Sequence, residues 1–198
     1  MGNREGALMT EFTILWHDSA SPPGTSRVRA DELLAGVQHW RGIRDLAASL
    51  WLIQDSLNPQ AAQAIIEQQS IASDHVRRLK ISHEWGVAFG KAVPLANFVL
   101  REMQPGSLDA FLPKLHSQIA QLVTRPGCLG SVLAAERDSP HYLLGITYWE
   151  AERSFAQYMK WASKHPWKNT VDPITLNVPL RLLTRHTESS AAKTRDDG

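Results

Sequence analysis

The chain has 198 residues, 43% of them hydrophobic and 21% charged, and its 21 Lys+Arg against 20 Asp+Glu leave a formal net charge of +1. So even a balance supplies no long-range field to gather phosphates or anionic lipid, which argues against a nucleic-acid partner or a membrane surface. A single cysteine, Cys128, excludes a disulfide framework or a Cys-built metal site within one chain and fits a reducing cytoplasm.

The first residues carry no apolar signal-like segment, and no apolar run approaches the roughly 18 residues needed to span a bilayer. A soluble, cytoplasmic protein is the expectation. Seven Trp against three Tyr is the compositional oddity. Aromatic side chains of that size suit a small core or the wall of an apolar pocket.

In chain order, residues 11–16 read as a strand, and residues 30–44 as a helix with Leu33, Leu34, Val37 and Trp40 on one face. Residues 49–54 and 61–68 read as a hairpin across Asn58-Pro59, and residues 73–89 as a second helix. On that helix His75 and His83 stand about two turns apart, without the His-x-x-x-His spacing of a zinc site, so no metal is expected. The basic run Arg77-Arg78-Leu79-Lys80 reads as a solvated face. Trp16, Trp40, Trp51 and Trp85 read as core.

Residues 95–103 form the next strand. After Pro105-Gly106, Leu108, Phe111, Leu112, Leu115, Ile119, Leu122 and Val123 fall on one helical stripe, with Ser107 at the capping position and Pro113 as an expected interruption. Arg125-Pro126-Gly127 ends it. Residues 128–135 and 141–150 read as a hairpin turning at Asp138-Ser139-Pro140. A helix from Glu152 puts Phe155, Tyr158, Met159 and Ala162 on one side, residues 174–183 form a last strand, and residues 189–198 read as a disordered tail.

The second half is therefore β-α-β-β-α-β, and the first half reads as a degenerate repeat of it, with domains at 1–93 and 94–188. Such a unit has both helices on one face of an antiparallel sheet and leaves the other face bare. Two of them in one chain can cover each other. The fold class expected is α+β: tandem ferredoxin-like units forming an intramolecular copy of a dimeric α+β barrel, as a monomer (a pseudo-dimer) or a homodimer. A ligand cavity would then lie between a sheet and its own helices.

Gln104-Pro105-Gly106-Ser107 with Phe111, Arg125-Pro126-Gly127-Cys128-Leu129, and Ile146-Thr147-Tyr148-Trp149-Glu150 followed by Phe155 form a spaced set in the second half. On these residues that half resembles the antibiotic biosynthesis monooxygenase domain family. The resemblance implies a dimeric α+β barrel and one of two chemistries. The first is cofactor-independent oxygenation of anthrone-type polycyclic aromatics by O2, as in polyketide antibiotic biosynthesis. The second is haem binding and degradation, which asks for an Asn on the first strand, a Trp on the third and an axial His on the second helix. Asn97 and Trp149 match the first two, whereas the His position is Tyr158. The quinone-forming branch often has an Asn four residues before the strand Trp; here it is Gly145. A non-catalytic ligand-binding barrel is the third reading.

Cofactor-free oxygenation asks for an apolar slot, orientation and a group that handles a proton. Catalytic candidates are Trp149, whose indole N–H could hold a substrate oxygen, Asn97 inside an apolar strand, and His165 as a base, with His141 a further possible base. Substrate-binding candidates are Arg101, which alternates in phase with Asn97, together with Tyr158, Phe155, Tyr148 and Trp161. The bland alternative for Trp149 and Tyr158 is core packing, and for Arg101 a surface ion pair. The expected partners are a small aromatic substrate and O2, with no cofactor.

Overall fold

The computed structural model describes residues 11–17, 37–42, 49–54, 56–57, 60–87, 89, 93–136, 141–164 and 174–185, and of His17, Arg41, Gly42 and residues 174–185 it describes the backbone alone. In order, the elements are β1 (Glu11–His17), β2 (Val37–Gly42), β3 (Ser49–Gln54), α1 (Ala61–Gln69), a 3-10 turn at Ser73–His75, β4 (Val76–Gly86), β5 (Leu95–Met103), α2 (Leu108–Leu122), β6 (Cys128–Glu136), β7 (Tyr142–Trp149), α3 (Glu152–Lys164) and β8 (Ile174–Arg185). No helix among the described residues is long and apolar enough to cross a membrane.

The eight strands close into a barrel in the order β1-β3-β2-β8-β5-β7-β6-β4. Taken by halves, this is β4-β1-β3-β2 and β8-β5-β7-β6. Each half thus has its fourth, first, third and second strand side by side, the ferredoxin-like order, and every neighbouring pair is antiparallel. The halves join edge to edge, β2 on β8 and β4 on β6. One chain supplies all eight strands, so the barrel closes without a second subunit, and the tandem α+β architecture expected from the sequence is the one observed.

Strand alternation divides each strand between two environments. Phe12, Ile14, Trp40, Leu50, Leu79, Ala96, Phe98, Val132 and Ile146, contributed by both halves, fill the barrel interior, which is therefore a packed core and not a channel. On the outside of the first half, Leu15, Trp51 and Ile53 are covered by Ala61 and Ile65 of α1 and by Ile71. On the outside of the second half, α2 sets Phe111, Leu115 and Ile119 against Leu133 and Leu143, and α3 sets Phe155 against Trp149.

The first half corrects three sequence expectations. Residues 37–42 are strand rather than helix; Val37 and Trp40, spaced like a helical face, are positioned by antiparallel pairing with β3. Residues 61–69 are helix rather than strand, as their Ala, Gln and Glu content favours, with Ala61, Ile65 and Gln69 buried one turn apart. Residues 76–86 are strand rather than helix, held between β1 and β6. His75 and His83 therefore share no helix face: His75 stacks on Trp16, and His83 on Trp85. Nor is the basic run uniformly solvated, because Arg77 lies 4.2 Å over the Tyr142 ring. The remainder of the helix expected at 30–44, the turn at 138–140 and the 189–198 tail lie outside the described residues.

The second half matches its reading closely, with local differences. Ser107 is at the N-cap of α2, but its hydroxyl donates back to the Gln104 carbonyl (2.6 Å) instead of capping the helix. The helix runs through Pro113 without ending there. Gly127, before β6, has φ +77°, and a Cβ there would run into the Ser154 side chain, so this turn needs glycine twice over.

A bulge in β4 between Ile81 and His83 reverses the alternation. Leu79 faces the barrel interior, whereas His83 and Trp85, beyond the bulge, pair opposite Leu133 and Ser131 and meet His116 of α2. The His83 and His116 rings lie 3.9 Å apart. Burial, and secondarily the neighbouring His83, hold His116 below the ordinary histidine pKa. Between the lowered folded value and the ordinary unfolded one, the unfolded chain binds the extra proton, so stability is full above the ordinary value and is lost as pH falls through it. Thermal unfolding between pH 8 and pH 5 should show this fall, and His116→Gln should flatten it; an unchanged slope in the variant would remove His116 as its source.

Candidate functional site

Between the outer face of the second-half sheet and its two helices lies a cavity of about 250 Å³. Strand alternation builds its floor: β5 presents Asn97, Val99 and Arg101, β6 Ser131 and Leu133, and β7 Gly145 and Thr147. The roof comes from the α2 stripe (Leu115, Ile119, Leu122) and from Phe155, Tyr158 and Met159 of α3. This is the position that the sequence assigned to a ligand, between a sheet and its own helices. The equivalent face of the first half is filled among the described residues by Trp51, Ile53 and Ile65.

Four of the sequence-derived candidates converge here: Asn97, Arg101, Tyr158 and Phe155. The Asn97 Oδ1 is buried and accepts no hydrogen bond from the described residues, although a buried acceptor is normally satisfied. Arg101 is the one charged side chain of the lining, in which no Asp or Glu appears among the described residues. Burial pushes the Tyr158 phenol above its ordinary pKa, partly offset by the nearby positive charge of Arg101. Tyr158 is therefore a neutral hydroxyl at physiological pH, able to donate and accept but unsuited to act as a base.

Trp149 stands differently from the expectation. It is fully buried behind the cavity, its ring 5.3 Å from Tyr158 and 5.5 Å from Phe155, and its indole N–H donates to the Thr147 Oγ1 at 3.0 Å. That N–H is thus committed to Thr147, and it is the Thr147 hydroxyl that faces the cavity. Tyr148 is a correction: one residue along from Trp149, it points into the barrel interior, on the opposite face of the sheet from the cavity. Trp161 lies beyond the lining, 6.3 Å from Tyr158 and stacked under the Arg125 guanidinium at 3.6 Å. His141 is outside the lining, and His165 is outside the described residues. Thr147, Ser131 and Gly145 were missed as site residues, though counting back by twos from Trp149 finds both Thr147 and Gly145.

The remaining reactive group near the cavity is Cys128, whose thiol burial pushes up to about 11, so it is protonated and poorly nucleophilic at neutral pH. Haem does not fit the lining of this cavity among the described residues. No His lines the cavity among the described residues, the matching position is Tyr158, and burial opposes the tyrosinate form that could ligate iron. No group of three or more His, Cys, Asp or Glu that could hold a metal ion occurs among the described residues.

No protein family profile and no curated protein sequence matches this chain. Solved structures do. An anthrone oxidase-like protein superposes with a TM-score of 0.59 at 13% identity, covering 93% of this chain and 94% of that one. A monooxygenase-like protein from Listeria innocua gives 0.56 at 12% identity, covering 91% and 96%. A ferredoxin fold protein related to antibiotic biosynthesis monooxygenases, from Listeria monocytogenes, gives 0.52 at 11% identity, covering 91% and 96%. The chain has the fold of proteins related to antibiotic biosynthesis monooxygenases. At these identities the likeness establishes the fold, and the chemistry rests on the cavity.

Proposed function

We propose that this protein is a cytoplasmic, cofactor-independent monooxygenase that oxidises a small polycyclic phenol or anthrone with O2, a tailoring reaction of the kind used in polyketide antibiotic biosynthesis. The half at 94–188 carries the site, and the half at 1–93 completes the barrel. The observation that carries this reading is the second-half cavity itself, with walls of Val, Leu, Ile, Phe and Met on which Asn97, Arg101 and Tyr158 converge. Ligand sites typically occupy about 300 Å³ or more, so about 250 Å³ suits two or three fused rings better than a tetrapyrrole. The neighbours described as monooxygenase-like and anthrone oxidase-like support the reaction class.

In this reading the ring system slides between the sheet and α2, and its oxygen substituents meet the polar groups. The bound phenol or enol loses a proton, the resulting anion passes one electron to O2, and the radical pair collapses to a hydroperoxide on the ring carbon. Loss of water leaves a carbonyl. Overall, an anthrone CH2 and one O2 become a quinone C=O and one water. The apolar walls exclude bulk water, which strengthens each polar contact made inside.

Oxygen uptake with anthrone, measured on metal-free protein, tests the proposal. One O2 consumed per quinone formed is the expected stoichiometry. Absence of uptake would overturn it, and binding without uptake would identify a non-catalytic ligand-binding barrel instead.

A further inference from the structure

Three polar residues of the cavity floor stand in one line. Asn97 of β5 pairs directly opposite Thr147 of β7, and Thr147 directly opposite Ser131 of β6, so the three form a row across adjacent strands, all lining the cavity. The next row along the strands is apolar, Val99, Gly145 and Leu133. A Cβ built on Gly145 would lie 3.3 Å from the Arg101 Nη1, so its bareness leaves room for that guanidinium, which already has interactions of its own. It is in the polar row that hydrogen-bonding capacity is left over.

The Ser131 hydroxyl donates to the Ile146 carbonyl at 2.8 Å and is committed to the sheet. The Thr147 oxygen accepts the Trp149 indole N–H at 3.0 Å, which leaves the Thr147 hydroxyl proton to be given away, and no acceptor takes it among the described residues. Asn97 is the reverse case, since its buried Oδ1 is an acceptor that no donor of the described residues reaches. An acceptor without a donor therefore stands one strand away from a donor without an acceptor, and the two do not satisfy each other. Leaving both unmet is costly in a water-excluded site, and one ligand can meet both.

Resting on the proposed function of the same cavity, we infer that its substrate carries oxygens on alternate carbons of one aromatic ring, a hydroxyl given to Asn97 and a second oxygen that accepts from Thr147. Neighbouring strands run about 4.8 Å apart, and oxygens on alternate carbons of a six-membered aromatic ring are also about 4.8 Å apart, against about 2.8 Å on adjacent carbons. Oxygens on opposite carbons point away from each other and cannot both turn to one row. Ring closure of a chain bearing a ketone on every second carbon leaves oxygens in this alternate relation, so a cyclisation of that class is the reaction that would supply the substrate.

The test is binding without turnover, in the absence of O2. The 1,3-, 1,4- and 2,3-dihydroxynaphthalenes share one size and differ in the relation of their hydroxyls, and each is titrated calorimetrically under argon at pH 7. The wild type is expected to bind the 1,3 isomer about 5- to 50-fold more tightly than either of the others. Thr147→Val, which keeps the shape and removes the hydroxyl, should bring the three affinities within about threefold of one another, whereas Thr147→Ser, which keeps the hydroxyl, should retain the preference. Asn97→Leu should also abolish it, so the inference stays testable if one variant does not fold. Equal affinities in the wild type, a preference for another isomer, no binding of any isomer, or a preference that survives Thr147→Val would overturn the inference. Oxygen uptake with anthrone bears on the proposed function separately, and uptake alongside equal isomer affinities would overturn the inference alone.

Discussion

Asn97→Leu is expected to melt at a higher temperature than the wild type while losing most of its anthrone-dependent oxygen uptake. The Asn97 Oδ1 is buried on the cavity floor with no donor among the described residues. An unsatisfied buried acceptor costs roughly 1–3 kcal/mol, and a leucine of similar shape would sit among Val99, Ile119 and Leu122 without that cost. For a chain of this size each kcal/mol moves the melting temperature by about 2–4 °C, so a rise of about 2–12 °C is expected. The same replacement takes away the acceptor that orients a substrate hydroxyl, and uptake should fall about 10- to 100-fold. Scanning calorimetry and an oxygen electrode measure the two effects on the same preparation. A lower melting temperature with uptake unchanged would show that Asn97 is a structural residue. The opposite signs are the informative part, since a merely structural polar group would not couple a gain in stability to a loss of reaction.

Trp149 is predicted to act mainly through stability. Its side chain is completely buried between β5, α2 and α3, in contact with the cluster of Leu95, Leu122 and Phe155. Trp149→Ala would leave a large void and should cost about 3–5 kcal/mol, read from the midpoint of a denaturant titration at constant slope. Trp149→Phe keeps most of the ring but removes the N–H that Thr147 accepts. With the indole donating to its oxygen, the Thr147 hydroxyl is left to point its own proton elsewhere, and the cavity is the open direction. In Trp149→Phe that orientation is lost, so KM for the aromatic substrate should rise by about threefold to tenfold with kcat changed less. A kcat loss beyond about 100-fold at unchanged KM would instead place the indole in the chemistry.

The second half was readable because its elements are locally amphipathic. The α2 stripe from Phe111 to Leu122 and the α3 set of Phe155, Tyr158 and Met159 each repeat within a turn, and each occupies the side that its period assigns. The same applies to Asn97 and Arg101, whose even spacing on a strand places both on the cavity floor. In the first half, the expectation of a strand at residues 61–68, which follows the symmetry of the two halves, goes against their own composition, and the charges of residues 76–86 mask a strand held by β1 and β6.

Amino-acid order alone therefore determined the β-α-β-β-α-β plan of the second half and the layer in which a ligand would lie, because each depends on periodicity within single elements. Where Tyr148 and Trp149 part company, which group the Trp149 indole serves, how a bulge in β4 turns His83 and Trp85 toward α2, and why Gly145 is bare were decided by folding. Each of these rests on register between strands far apart in the chain, and a one-residue change in pairing exchanges the two faces of a strand. The Arg101 guanidinium reaches its place over Gly145 through such a pairing, which no local pattern encodes.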